Sequence, residues 1–164
     1  MRKIIGIISI ALLCVFHFGC AQDWNEEKAK QEALRGIKYS IDISQYPAVD
    51  PDFDENQQAI KKGQQSIKDR FVTIDTQLPV YVVSKMDNKK NQQITMFYGM
   101  DGRLLIVRLF SSPDYPRASY MYCVGDTENG KYQPGQLRSF EFHVSLGHTY
   151  FFGADGSFQG HQQD

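Results

Sequence analysis

A change to strand-like alternation at residue 71 constrains the fold of this chain more than any other feature. From there to residue 152, seven short segments are rich in β-branched and aromatic residues, as strands are. The segments are 71–74 (FVTI), 80–83 (VYVV), 94–98 (ITMFY), 104–110 (LLIVRLF), 119–124 (SYMYCV), 137–144 (LRSFEFHV) and 149–152 (TYFF). Short turn sequences separate them, and short turns join antiparallel neighbours. The pattern predicts an antiparallel meander of about six to seven strands.

One helix is predicted immediately before the sheet, in residues 54–71. Ile60, Ile67 and Phe71 recur there at helical spacing, and Asp54 is the expected N-cap. Gly63 in the middle weakens the intrinsic helix propensity, so we expect this helix to be stabilised by packing on the sheet. The predicted fold class is therefore α+β, with an N-terminal helix packed on the antiparallel meander.

The beginning of the chain predicts export from the cytoplasm. Arg2 and Lys3 precede an apolar run from residue 4 to residue 18, which is typical of a signal peptide covering residues 1–19. The run is shorter than the roughly 20 residues that span a bilayer. The Gly19–Cys20 pair resembles the signal of bacterial lipoproteins, which implies that Cys20 is acylated and becomes the mature N-terminus. The alternative is ordinary secretion with a cut after Ala21. The expected location is the cell envelope, either lipid-anchored at the outer membrane or periplasmic face, or soluble in the periplasm or medium.

The cysteine count supports the lipid interpretation of Cys20. The chain has three cysteines, and either cut removes Cys14 and leaves Cys123 as the thiol of the folded domain. We therefore expect no intramolecular disulfide. Cys123 lies in an apolar strand segment, which predicts a buried, unreactive thiol.

The stretch between Cys20 and the predicted helix is charged, thinly apolar and marked by Pro47 and Pro51. Residues 20–53 are therefore predicted to be a tether or linker, with a short helix as the alternative for part of it. A single α+β domain is predicted to follow over residues 54–161.

Three segments share one pattern. In 97–107 (FYGMDGRLLIV), 132–140 (YQPGQLRSF) and 151–158 (FFGADGSF), an aromatic residue precedes a short turn, a glycine, one variable residue and then Leu or Phe. Gly102, Gly135 and Gly156 are predicted to take positive φ in tight turns. These units, within residues 94–161, resemble the MORN-like repeats of bacterial antitoxin-type proteins and of small bacterial lipoproteins. The resemblance implies a small sheet used for binding or scaffolding, and it supplies no catalytic residues.

Histidines near the end of the sheet are the candidate metal ligands. In the segment RSFEFHVSLGH, alternation places Glu141 and His143 together on the solvent side, and the following turn brings His148 near them. Two histidines and a carboxylate suit zinc or copper. A solvated hairpin explains the same residues without a metal, and His161 is predicted to be a surface residue. We expect no metal and no cofactor.

Nucleophilic catalysis has no motif in this chain. Ser139 and Ser145 lie close to the histidines in sequence, but there is no GxSxG elbow. Six tyrosines of the strand and turn region are predicted either to fill the core or to form a face that stacks on sugars or peptides. They are Tyr98, Tyr115, Tyr120, Tyr122, Tyr132 and Tyr150.

The charge balance of 18 basic and 19 acidic residues predicts no binding to nucleic acid. The preferred function is that of a non-catalytic envelope lipoprotein, attached to the membrane through Cys20, whose sheet binds a protein or cell-wall partner. The alternatives are an immunity or antitoxin protein of the envelope, and a small secreted hydrolase or metal-binding protein.

Overall fold

The computed structural model describes residues 23–64, 66–67, 70–75, 80–125 and 129–164. The predicted signal peptide, the lipid attachment residue Cys20 and the alternative cut after Ala21 lie outside the described residues. Within the described ranges, no helix has the length and apolar character needed to cross a bilayer.

The described part of the chain contains nine strands, which form one antiparallel sheet in the order in which they occur along the chain. They are β1 (Ser66–Ile67), β2 (Arg70–Asp75), β3 (Val80–Asp87), β4 (Gln92–Gly99), β5 (Leu104–Phe110), β6 (Arg117–Cys123), β7 (Leu137–Ser145), β8 (His148–Gly153) and β9 (Phe158–Gln163). The predicted α+β class with an antiparallel meander is confirmed, and the seven predicted segments correspond in order to strands β2 to β8. The structure adds β1, which has two residues, and the polar edge strand β9.

The helix predicted over residues 54–71 is wrong in its second half. Helix α2 spans Phe53–Lys61 and is preceded by Asp52, so the predicted cap Asp54 lies in the first turn. Gly63 takes a φ of +68° and closes the helix with bonds from its own amide to Ile60 and from the next amide to Ala59. This is the glycine-terminated end that commonly stops a helix. The predicted stripe residues beyond it belong to β1 and β2.

Residues 20–53 are predicted as a tether or linker with a helical part; residues 23–53 pack against the sheet, and residues 26–34 of them are helical. Helix α1 spans Glu26–Leu34 and buries Ala29 and Ala33 completely against β6, β7 and β8. A short 3-10 helix, Ile43–Gln45, follows. The two alanines let α1 approach the sheet closely. Because alanine is small and the rest of α1 is mostly charged, the sequence shows no clear apolar stripe at this buried face.

The three predicted glycine turns are built alike. Gly102, Gly135 and Gly156 have φ values of +81°, +85° and +79°, as predicted. In each unit the third residue after the glycine falls between two successive cross-strand pairs, which is a β-bulge. In the second unit the aromatic residue opposite Leu137 is Tyr122, not the predicted Tyr132. The irregular spacing of the repeat therefore reflects a longer loop between β6 and β7.

The N-terminal segment between α1 and α2 is hydrogen-bonded to two of these turns, and the same pair of backbone bonds is formed at each turn. The amide of Ile41 donates to Gly135 and the amide of Leu137 donates to Tyr39, at 2.9 and 2.8 Å. Nine residues later, Asp50 donates to Gly102 and Leu104 donates to Ala48, at 2.8 and 2.9 Å. The segment between α1 and α2 thus runs along the turn ends of the sheet and becomes part of the folded domain.

The sheet has two different faces. The helix side carries the main core, in which Tyr81 stacks on Tyr98 and Phe140 stacks on Phe152. The residues that alternate with these along each strand face the opposite side, which bears a buried polar cluster among apolar residues. In the described part of the chain, α1 and α2 belong to the helix side.

Candidate functional site

The buried polar cluster on the opposite side of the sheet is formed by three neighbouring strands. Arg108 of β5 donates to Glu141 of β7 at 2.9 Å, and Ser119 of β6 donates to the other oxygen of Glu141 at 3.1 Å. His143 Nε2 lies 3.1 Å from that second oxygen and 3.0 Å from Ser119 Oγ. The cross-strand pairs that align Ser119 with Glu141 and Arg117 with His143 place these residues together.

The electrostatics of the cluster favour an ionised Glu141. Burial would raise the pKa of Glu141, but hydrogen bonding from His143 and the charge of Arg108 together hold this pKa below its ordinary value. The prediction that Glu141 and His143 share a face is confirmed. The prediction that this side is solvated is wrong for Glu141, which is 8% exposed, because Arg108 and the neighbouring strands cover it.

The cluster does not have the geometry of a Ser–His–carboxylate triad. In such a triad the serine and the carboxylate contact opposite nitrogens of the histidine ring. Here Ser119 and Glu141 both contact Nε2, while Nδ1 faces the hydroxyl of Thr149 at 3.0 Å. Ser119 is fully buried and donates to the carboxylate. The arrangement provides hydrogen-bond partners for the Glu141 carboxylate and the Ser119 hydroxyl, and it leaves no accessible nucleophile in the cluster.

The structure separates the predicted metal ligands. His143 points to the side of the polar cluster, whereas His148 lies on the other side, where its ring is 5.0 Å from that of His161 and 5.4 Å from that of Tyr150. The described residues contain no group of three or more side chains of the kind that hold a metal ion. His161 is exposed, as predicted.

The two serines that lie close to the histidines in sequence do not contact His143. Ser145 is exposed and bonds weakly to the backbone next to it, and Ser139 pairs with Met121. The serine that reaches His143 is Ser119, 24 residues earlier in the chain. Its signal in the sequence is only its place in the alternation of β6, which becomes informative once the register with β7 is known. Cys123 is fully buried, as predicted.

Two of the six tyrosines that are predicted either to fill the core or to form a ligand face bond to the N-terminal segment. The hydroxyl of Tyr120 donates to the backbone carbonyl of Ala33 at 2.7 Å, and the hydroxyl of Tyr150 donates to the backbone carbonyl of Trp24 at 3.0 Å. Burial raises the pKa of Tyr120 to about 12. The tyrosine face is therefore mostly an internal surface. Of the other four tyrosines, Tyr98 and Tyr122 are buried and Tyr115 is exposed. Tyr132, in the loop before β7, is half-buried.

An open trough lies on the helix side, between the N-terminal segment and the sheet. Three cavities of about 430, 470 and 460 Å³ follow one another there. Gln45, Tyr46 and Lys90 line both the first and the second cavity, and Gly36 and Tyr120 are among the residues that line both the second and the third. We call this continuous depression the trough. Residues 35–47 form one wall, and residues 85–90 and 111–117 form the other.

The trough has a polar lining over a buried aromatic floor. Ser40, Gln45 and Asn88 supply hydroxyl and amide groups, and Tyr120 and Tyr122 lie beneath. Trp24, the single tryptophan of the chain, lines the far end and contacts Phe142 with ring centroids 4.6 Å apart. A concave site with aromatic residues and a few polar groups is the usual form of a ligand site.

The chain matches no known family, no curated protein and no solved structure.

Proposed function

We propose that this chain is a non-catalytic lipoprotein of the cell envelope, which lipid on Cys20 holds at a membrane while the folded domain binds a partner in the trough. The trough carries the proposal. It joins three open cavities, and segments far apart in sequence build its walls.

The polar cluster supports the non-catalytic part of the proposal. Its carboxylate, histidine and serine bond to one another, and a nucleophile must instead be accessible and activated by a base that a third group orients. The repeated glycine turns support a relationship to MORN-like repeat proteins, which we also propose.

The test of the proposed function is the location and the mass of the mature protein in the cells that produce it. We expect the full chain in the membrane fraction, with a mature N-terminus at Cys20 that carries acyl chains. The variant Cys20→Ser removes the acceptor thiol and is expected to release the protein or block its maturation. A mature protein that begins at Gln22 and is found in the soluble fraction would disprove the anchored location.

A further inference from the structure

Basic side chains crowd the trough, although the chain as a whole is nearly neutral. Three carboxylates lie among its lining residues, and each already has a local partner. Glu32 pairs with Arg35 at 2.8 Å, Asp42 accepts from the amide and hydroxyl of Ser44, and Asp87 accepts from the amides that follow it in its turn. The hydrogen bonds from Ser44 lower the pKa of Asp42, which keeps it ionised and locally engaged.

Four lysines of the trough have no such partner. Lys38, Lys85, Lys89 and Lys90 are exposed, and no described carboxylate forms a salt bridge with their ammonium groups. The trough therefore presents an excess of positive charge along its first two cavities. A concave surface with charges of one sign concentrates ligands of the opposite sign.

The backbone around the trough does not favour an extended peptide. Peptides that bind sheets commonly pair with an exposed strand edge. The strands that line the trough are β3 to β7, and each of them already has a hydrogen-bonded strand on both sides. A ligand in the trough must instead bind through side-chain hydroxyls, amides, ammonium groups and ring faces.

These features fit a sugar chain. Sugar hydroxyls bond to side chains such as Ser40, Gln45 and Asn88, and the apolar faces of sugar rings pack on half-exposed aromatic rings such as Tyr46 and Trp24. We propose that the trough binds an acidic oligosaccharide, whose carboxylate or phosphate groups face the four lysines. This inference rests on the proposed function in one respect, namely that the domain is a binding module.

The experiment measures binding of short oligogalacturonate, and of a phosphorylated mannan fragment, to the full mature chain by calorimetry and by the fluorescence of Trp24. Lys89→Gln/Lys90→Gln removes two trough charges. Lys61→Gln/Lys62→Gln is the matched control, because these exposed neighbours at the end of α2 do not line the trough. We expect binding of at least one acidic glycan, a change in Trp24 emission and roughly fivefold to tenfold weaker binding by the trough variant alone, since one exposed ion pair contributes up to about fivefold.

Four results would overturn the inference: no binding of either acidic glycan, equal weakening by both variants, equally tight binding of neutral dextran, or equally tight binding of polyglutamate or single-stranded DNA. The last result would identify a general polyanion surface. The lipid on Cys20 is measured separately, so a protein that is anchored but binds no acidic glycan would contradict this inference and leave the proposed function standing.

Discussion

Replacing Gly135 by alanine tests how the N-terminal segment is held on the sheet. The glycine has a φ of +85°, and an added Cβ would lie 2.5 Å from the carbonyl oxygen of Ile41. The left-handed backbone costs about 1–2 kcal/mol for a residue with a side chain. Relief of the clash also disrupts the bonds between Ile41 and Gly135 and between Leu137 and Tyr39, each contributing about 0.5–1.5 kcal/mol. We expect Gly135→Ala to lower the free energy of unfolding by on the order of 3 kcal/mol.

The matched control is Gly130→Ala. Gly130 has nearly the same φ, +87°, but an added Cβ there would meet no atom of the described residues within 4 Å. The control therefore bears only the backbone cost of about 1–2 kcal/mol. The free energy of unfolding of both variants is measured by urea titration, and the comparison requires that its slope against urea concentration is unchanged. Faster hydrogen exchange at Leu137 is expected in Gly135→Ala but not in the control. Equal destabilisation by the two variants would refute the reasoning, because the contact with Ile41 would then contribute nothing.

Three further substitutions test the buried polar groups. Glu141→Gln removes the charge that pairs with Arg108 and is expected to cost on the order of 2 kcal/mol at pH 7. Since the folded pKa of Glu141 is lowered, the difference from the parent is fully present above about pH 4.3 and shrinks as the pH falls through the folded value, which urea unfolding at several pH values measures. A difference that does not change with pH would contradict this assignment. Tyr81→Phe removes the 2.8 Å bond to the buried carboxylate of Asp50 and is expected to cost about 1–3 kcal/mol in the same assay, so a loss under about 0.5 kcal/mol would show that the bond is unimportant. Ser119→Ala is expected to cost about 1 kcal/mol and to leave any ester hydrolysis by the preparation unchanged, whereas loss of such hydrolysis in a folded variant would support the hydrolase alternative.

The strands were predictable because each one shows the same local pattern, an alternation of apolar residues. Alternation of apolar residues is imposed by the sheet itself, as in β7, where Phe140 and Phe142 face the core and Glu141 faces the other side. The prediction made helix α2 too long for a related reason. Ile67 and Phe71 fit a helical spacing by coincidence, and Gly63, which ends the helix, is also compatible with a helix interior at a modest cost.

The packing of the N-terminal segment and the geometry of the site could not be predicted from the sequence, for physical reasons. The segment is held by backbone hydrogen bonds to turns about 50 to 100 residues away, and backbone groups leave no residue pattern, as the bond between Ile41 and Gly135 illustrates. The polar cluster depends on the register of three strands, which brings Arg108 to Glu141 across 33 residues. The trough is lined by residues of the segment 35–47 together with residues much later in the chain, such as Lys90 and Tyr122. None of these relations is encoded in a local period.

The most direct test of the central claim, that the domain binds its partner in the trough, is site-specific photocrosslinking of the full chain in the cells that produce it. p-Benzoylphenylalanine replaces Gln45, an exposed residue of the trough, or Thr73, an exposed residue of β2 on the opposite side of the sheet. We predict a crosslinked species of higher mass at Gln45 that glycan-degrading enzymes trim, and none at Thr73. A crosslinked species at Thr73 without one at Gln45 would contradict the account.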